Sequence, residues 1–550
     1  MKIALAQLNF HIGNFQYNTD KIIQYIQKAK VENVDLIIFP ELSVCGYHPN
    51  DLLERKEFSV WCDKAVKIIV AECKGIAAII GAPTINESQK GKKLRNSAIF
   101  INDGVIEKVV HKTLLPTYDI FDEYRHFEPN TEFGVVEFKG QKLAITICED
   151  LWDDQPTNNS FSKSKLYITS PLEELSAFDP DLVINIAASP FSFNQEGNRK
   201  DIMLRNAQEY NVPIVYVNQV GAQTELIFDG GSMFINSNGN VEQEMAYFSE
   251  DFRTIDIDNL PEKLVQPNYS TIEKIYKALI LGIRDYFVKM NFKKATLGLS
   301  GGIDSAIVAV LATEALGKEN IHVLLMPSKF SSDHSIDDAK QLAENLGIKY
   351  DIVGIQPMVD QFEQALSPIF KGLATDVTEE NIQARTRGIL LMAISNKFGH
   401  ILLNTTNKSE CAVGYGTLYG DMNGGLSVLG DVYKTDIFKL ARFINRDVEV
   451  IPENTIIKPP SAELRPDQKD SDSLPDYDIL DKILFRYIEM NQSPEEIINE
   501  GFDEAVVMKT VRMVNMNEYK RFQSPPILRI SSKAFGFGRK MPLVARYEGF

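Results

Sequence analysis

The chain has 550 residues, 44 % of them hydrophobic and 24 % charged, and its 58 basic against 75 acidic side chains leave a formal net charge of −17. That length exceeds what one ordinary core fills, so two domains are expected. No apolar run approaches the roughly 20 residues that cross a bilayer, and the negative balance repels a phosphate backbone, which argues against a membrane protein and a nucleic-acid binder and leaves small molecules as the expected partners.

The opening residues, Met1-Lys2-Ile3-Ala4-Leu5-Ala6-Gln7-Leu8, read as a short strand that polar Asn9 and Gly13 soon follow. They hold neither a long apolar stretch nor a small-residue cleavage site, so export is not expected. Continuous apolar runs over 34–39, 77–81, 143–147, 182–187 and 214–217 predict strands covered on both faces. Helical patterns over 18–31 and 58–73 lie among them, with Asn18 or Thr19 as the cap of the first. The cysteines Cys45, Cys62, Cys73, Cys148 and Cys411 include no Cys-x-x-Cys pair. That usage suits a reducing, cytoplasmic setting and argues against a disulfide framework or a zinc site.

Extended stretches over 231–235 and 252–257 lead into Leu260-Pro261 and Gln266-Pro267-Asn268-Tyr269, a proline-marked connection that sets a boundary. The expected domains are 1–262 and 263–550. Beyond the boundary the alternation is regular: strand 295–299, helix 306–316 closed by Gly317, strand 321–326, helix 337–346 closed by Gly347, strand 350–354. This order predicts a doubly wound parallel sheet, which binds ligands at the carboxyl ends of its strands. The acidic, apolar-poor stretch 467–478 reads as a mobile loop.

The run Gly298-Leu299-Ser300-Gly301-Gly302-Ile303-Asp304-Ser305 falls where a strand ends and a helix begins. Glycines there let backbone approach a ligand, and the free N–H groups of a helix start favour an anion. The loop is a phosphate cradle without the lysine of a Walker A sequence. It resembles the loop of the ATP pyrophosphatases, or PP-loop enzymes. Within that superfamily the residues that follow are similar to NAD synthetases: Asn381-Ile382-Gln383-Ala384-Arg385-Thr386-Arg387, Asn404-Thr405-Thr406-Asn407-Lys408-Ser409-Glu410, Tyr419-Gly420-Asp421-Met422 through Lys434, Pro460-Ser461-Ala462-Glu463-Leu464 and Tyr519-Lys520-Arg521. The resemblance implies ATP held by the loop with Thr405, Lys434 and Ser461. It implies Mg²⁺ on Asp304 and Glu410, hard oxygen donors suited to that ion, and deamido-NAD against Asn381, Arg385, Glu410, Asp421 and Lys520. Leu418 stands where ammonia-dependent relatives often carry Lys.

The first half resembles the nitrilase family in three ordered signatures: Phe39-Pro40-Glu41-Leu42, His111-Lys112-Thr113-Leu114-Leu115-Pro116 and Ile147-Cys148-Glu149-Asp150-Leu151-Trp152. A glutamine amide is a poor electrophile, so its hydrolysis needs a nucleophile, a proton carrier and a cation near the oxyanion. The resemblance gives these roles to Cys148, Glu41 and Lys112, with Glu123 as a second acid and Tyr47, Tyr118 and Ser189 lining the glutamine pocket. Gln195 stands where many relatives have a basic residue.

Together the two resemblances imply a member of the glutamine-dependent NAD synthetases, with a nitrilase-like α-β-β-α sandwich before the doubly wound sheet. They imply a water-excluding route for ammonia between two sites, and self-association into a homo-oligomer. Alternatives are a non-catalytic nitrilase-like scaffold on an ammonia-dependent enzyme, or another PP-loop amidotransferase. The segment 519–550 carries seven Lys or Arg residues against one acid; Lys520 is expected to close over the substrate, and Lys533, Arg539 and Lys540 are unassigned.

Overall fold

A computed structural model describes residues 1–88, 90–153, 166–193, 196–466 and 468–547. Its contacts divide the chain into two units, Met1–Asn268 and Tyr269–Phe550. Gln195, expected at the glutamine pocket, lies outside the described residues.

In the first unit, β1 (Lys2–Gln7), β2 (Leu36–Ile38), β3 (Ala77–Ile85), β4 (Leu94–Asn102) and β5 (Val105–His111) build one sheet, and β6 (Val136–Phe138), β7 (Gln141–Ile147), β8 (Leu182–Ala187) and β9 (Ile214–Asn218) start another. After a hairpin of β10 (Val220–Gln223) and β11 (Leu226–Asp229), β12 (Met233–Ile235) and β13 (Val241–Glu244) extend the second sheet, and β14 (Asp251–Asp256) pairs antiparallel with β1. The orders are β14-β1-β2-β3-β4-β5 and β13-β12-β9-β8-β7-β6.

Alternate residues of each strand serve two apolar layers, which explains the continuous runs. Ile3, Leu5, Leu36 and Ile38 pack with Leu143, Ile145 and Ile184 between the sheets. Ala4, Ala6 and Ile37 pack with Ile22, Ile26 and Ile69 of the outer helices Phe15–Val31 and Lys56–Glu72. The sandwich is the α-β-β-α architecture expected. The first helix starts earlier than its apolar period indicates, because Asn14 caps it by accepting the Tyr17 N–H at 3.2 Å. Asn18 is instead buried and donates to the carbonyls of His11 and Val44 at 2.9 and 3.2 Å.

In the second unit, β15 (Ala295–Gly298), β16 (Ile321–Leu325), β17 (Lys349–Ile352), β18 (Ile401–Asn404) and β19 (Leu426–Ser427) lie all parallel in the order β17-β16-β15-β18-β19. This is the doubly wound sheet the alternation predicts, with helix Ile303–Leu316 ending at Gly317 and helix Asp333–Leu346 at Gly347. Residues 526–528 run beside β19, where Ser427 N–H donates to Pro526 and Leu528 N–H to Ser427. In the acidic stretch read as a mobile loop, Lys469, Ser471, Asp472, Ser473, Asp476 and Asp478 are exposed, but one acid is not. Asp470 is buried, because the hydroxyls of Tyr415 and Tyr477 reach its carboxylate at 3.3 and 2.9 Å. Among the described residues no helix is long and apolar enough to cross a membrane.

Candidate functional site

In the first unit the three signatures end at strand termini, which brings Glu41 (just past β2), Lys112 (after β5) and Cys148 (after β7) together. Glu41, Lys112 and Glu123 are at most 1 % exposed and Cys148 is 7 % exposed. Lys112 Nζ donates to Glu41 Oε1 and to Glu123 Oε1, each at 2.8 Å. Glu41 also accepts from Asn96 Nδ2 at 2.7 Å and from the Ala188 N–H at 2.9 Å. Glu123 accepts from the Tyr47 hydroxyl at 2.7 Å. Cys148 opens the turn Cys148–Leu151 with φ of 46°, a conformation side chains rarely adopt, at the end of β7.

Burial, then the Glu41 charge, pushes the Cys148 thiol well above its ordinary range, against the opposing pull of Lys112. Burial also raises Glu41, with Lys112 working against it and Glu123 with it. Burial disfavours the charge on Lys112, but Glu123 and Glu41 outweigh it and hold the ammonium above the usual lysine range. The site therefore holds a neutral thiol beside a carboxylate of raised basicity and a fixed cation.

Two residues inside the quoted signature carry more than the sequence reading gave them. Glu149 Oε1 accepts from the hydroxyls of Tyr118 at 2.8 Å and Tyr167 at 2.9 Å, and burial pushes its pKa up to about 7. Asp150 accepts the N–H groups of Thr113 and Leu114 on Oδ1, both at 2.9 Å, and of Ile147 on Oδ2 at 3.0 Å. It thereby ties the segment after Lys112 to the turn that carries Cys148. Ser189 N–H donates to Asn218 Oδ1 at 2.9 Å. Asn96 has no sequence signature; only the pairing of β3 with β4 brings it to Glu41.

In the second unit a cavity of about 310 Å³ opens at the carboxyl ends of β15, β16 and β18. Gly298, Leu299, Ser300, Gly302, Ile303, Asp304, Ser305, Thr405, Glu410, Asp421, Lys434 and Ser461 line it. Gly301 lies behind the lining: at φ of 79° an added Cβ would stand 2.2 Å from the Ser335 carbonyl oxygen, so only glycine lets the loop pack there. The serine hydroxyls brace the loop itself, with Ser300 Oγ 3.1 Å from Ser305 Oγ and accepting the Gly302 N–H at 3.2 Å.

Lys434, 2 % exposed, pairs with Asp304 and stands 3.7 Å from Glu410 Oε1. Burial alone pulls this lysine down, but Asp304 and Glu410 outweigh it and raise it. Asn407 Nδ2 donates to Asp304 Oδ1 at 2.9 Å, and its Oδ1 caps the helix Lys408–Val413 at the Glu410 N–H. Burial and the Asp304 charge push Glu410 up to about 8.

Asn381, Arg385 and Lys520 do not line the cavity; they meet on the neighbouring segment 414–418. Asn381 Oδ1 accepts from Thr417 Oγ1 at 2.7 Å, Arg385 Nε donates to Leu418 O at 3.2 Å, and Lys520 Nζ donates to Gly414 O and Gly416 O at 2.7 and 2.8 Å. Arg387, Lys458 and Asp470 also line the cavity and were given no role by the sequence reading.

The carbon-nitrogen hydrolase family matches residues 2–262 and the NAD synthase family matches residues 275–524. The chain is 46 % identical to the glutamine-dependent NAD(+) synthetase of Synechocystis sp. over 99 % of both chains, and 44 % identical to that of Acinetobacter baylyi over 99 % of this chain and 98 % of the relative. A solved glutamine-dependent NAD+ synthetase from Acinetobacter baumannii, in complex with adenosine diphosphate, superimposes with a TM-score of 0.78 at 40 % identity over 98 % of each chain. With full-length identity at that level, the chain belongs to the glutamine-dependent NAD(+) synthetase family.

Proposed function

We propose that the chain is a glutamine-hydrolysing NAD synthase, which amidates deamido-NAD in an ATP-dependent reaction and releases AMP, pyrophosphate and glutamate. The observation that carries the reading is the contact of Lys112 with Glu41 at 2.8 Å, both fully buried, their charges acting on the thiol of Cys148. A cation and an acid spent on packing alone would be a costly burial; beside a thiol they are the parts of an amidohydrolase.

Because its thiol is neutral, Cys148 attacks the amide carbon as Glu41 takes its proton. Lys112 faces the developing oxyanion. The C–N bond then breaks, ammonia leaves with the proton returned by Glu41, and water cleaves the thioester to glutamate. Glu123 acts through its contacts with Lys112 and Tyr47 and is a positioning residue. Glu149, a buried carboxylate next to the nucleophile and held by Tyr118 and Tyr167, suits the α-ammonium of glutamine.

In the cavity the loop amides and Lys434 receive the ATP phosphates, with Thr405 and Ser461 on the walls. Asp304 and Glu410 fit Mg²⁺: both converge on one cation, here the Lys434 ammonium, and burial together with the Asp304 charge pushes Glu410 up against the opposing pull of Lys434. When bound, the ion neutralises triphosphate charge. The nicotinate carboxylate oxygen bonds to the α-phosphorus as the bond to pyrophosphate breaks. Ammonia then forms the C–N bond at the activated carbonyl, loses a proton and displaces AMP. Asn381, Arg385, Asp421 and Lys520, gathered on 414–421, are the proposed dinucleotide contacts.

The test is isotope transfer. Glutamine labelled with ¹⁵N in its amide, supplied with ATP, Mg²⁺ and deamido-NAD, is expected to deliver the label to the nicotinamide carboxamide. Unlabelled product, or none, would contradict the reading.

A further inference from the structure

Three cations line the cavity of the second unit among the described residues, and two of them are matched by carboxylates. Lys434 pairs with Asp304 and stands near Glu410, and Lys458 Nζ lies 3.1 Å from Asp338 Oδ2. The third is Arg387. Its Nε donates to the Met326 carbonyl at 3.1 Å, just past β16, and among the described residues its Nη1 and Nη2 have neither a hydrogen bond nor an ion pair.

The helix Val377–Phe398 explains where this side chain goes. Ala384, Arg387, Gly388 and Leu391 all line the cavity, at the i, i+3, i+4, i+7 spacing of one helical face. Arg385, two residues earlier, is exposed and turned to Leu418. Gly388 allows the close approach, since a Cβ there would lie 2.9 Å from the Tyr419 carbonyl. The anionic side chains nearest in charge to Arg387 are already engaged. Asp421 accepts the Thr417 N–H, and Glu463 Oε1 accepts from Ser332 Oγ at 2.9 Å and Ser335 Oγ at 2.7 Å. Burial draws the Arg387 guanidinium down to about 10, with Asp421 and Glu463 only partly offsetting it.

A half-buried guanidinium anchored at one nitrogen, with its two-pronged end open in a ligand cavity, is built for an oxyanion. We propose that Arg387 binds an anionic oxygen pair of a substrate in this cavity, either a phosphate of ATP or the nicotinate carboxylate of deamido-NAD. The assignment rests on the functional reading above. It differs from that reading in giving the oxyanion contact inside the cavity to Arg387, while Arg385 faces segment 414–418.

The test uses the full chain with ammonium as nitrogen donor, so that the first unit is bypassed, and compares native protein with Arg387→Met and Arg387→Lys. Arg387→Met is expected to raise KM for one of the two substrates by about tenfold or more. Arg387→Lys, which keeps the charge but not the fork, is expected to recover part of the loss. Glutamine hydrolysis is expected to stay at the native rate in both variants. A rise in KM for ATP identifies the phosphate, and a rise in KM for deamido-NAD identifies the carboxylate. If both KM values of Arg387→Met stay within twofold of native, the proposal is overturned. Absence of NAD formation by the native chain would fall on the functional reading, and the Arg387 assignment would fall with it.

Discussion

Lys434 and Asp304 come from different elements, yet form one ion pair at the mouth of the glycine loop, with Asn407 donating to the other carboxylate oxygen at 2.9 Å. The pair places a cation at the start of helix Ile303–Leu316, where a phosphate also gathers helix N–H groups. Replacing Lys434 with Met is expected to lower ammonium-driven NAD synthesis by about a hundredfold. Glutamine hydrolysis by the first unit is expected to continue. A chelator is expected to divide the two activities in the same way, and a parallel loss of both would contradict the assignment.

Gly301→Ala tests the loop separately. Its φ of 79° and the 2.2 Å approach to the Ser335 carbonyl leave no room for a Cβ. Steady-state kinetics with ammonium are expected to show kcat/KM for ATP falling about tenfold or more as the loop shifts, with KM for glutamine hydrolysis unaltered.

Glu149 gives the glutaminase a pH dependence with a definite sign. Burial pushes its pKa up to about 7. Below that pH the group is neutral and offers no counter-charge to an α-ammonium; above it, the carboxylate does. Glutaminase kcat/KM is therefore expected to rise between about pH 6 and 8 with an inflection near 7, and Glu149→Gln is expected to remove that limb and raise KM for glutamine. A profile that keeps the inflection in the variant would contradict the role.

Lys408, within the Asn-Lys-Ser-Glu run, is fully buried and donates to Glu489 Oε1 at 2.7 Å, Ser531 Oγ at 2.9 Å and the Lys533 carbonyl at 2.9 Å, with Asp431 Oδ1 at 2.8 Å. These contacts bind the C-terminal segment to the helix that carries Glu410. Lys408→Met leaves two buried carboxylates without their cation, which costs about 3 to 5 kcal/mol. Urea unfolding is expected to show the second unit's transition moving to lower denaturant while the glutaminase remains active.

Much of this was legible in the residues. The β7 terminus before Cys148 and the strand–loop–helix at 295–305 follow from apolar runs that end in small or polar residues, and the signatures name Glu41, Lys112, Asp304 and Glu410. What the chain order hides is lateral. Asn96 reaches Glu41 only through the pairing of β3 with β4. Asp470 sits in a stretch whose composition reads as solvated, because composition does not report the two tyrosines that draw it inward. Arg385 and Arg387 are alike in sequence, and only the face of the helix separates them. The basic C-terminal segment reads as a tail by charge, yet Arg539 pairs with Glu518 and lies 5.6 Å from the Phe535 ring centre, and Lys520 meets two carbonyls.

The most direct measurement is NAD formation by Cys148→Ala with glutamine and, separately, with ammonium as donor. The variant is expected to lose glutamine-driven synthesis and keep the ammonium-driven rate. Glutamine serving the variant as well as the native chain would contradict the two-site account.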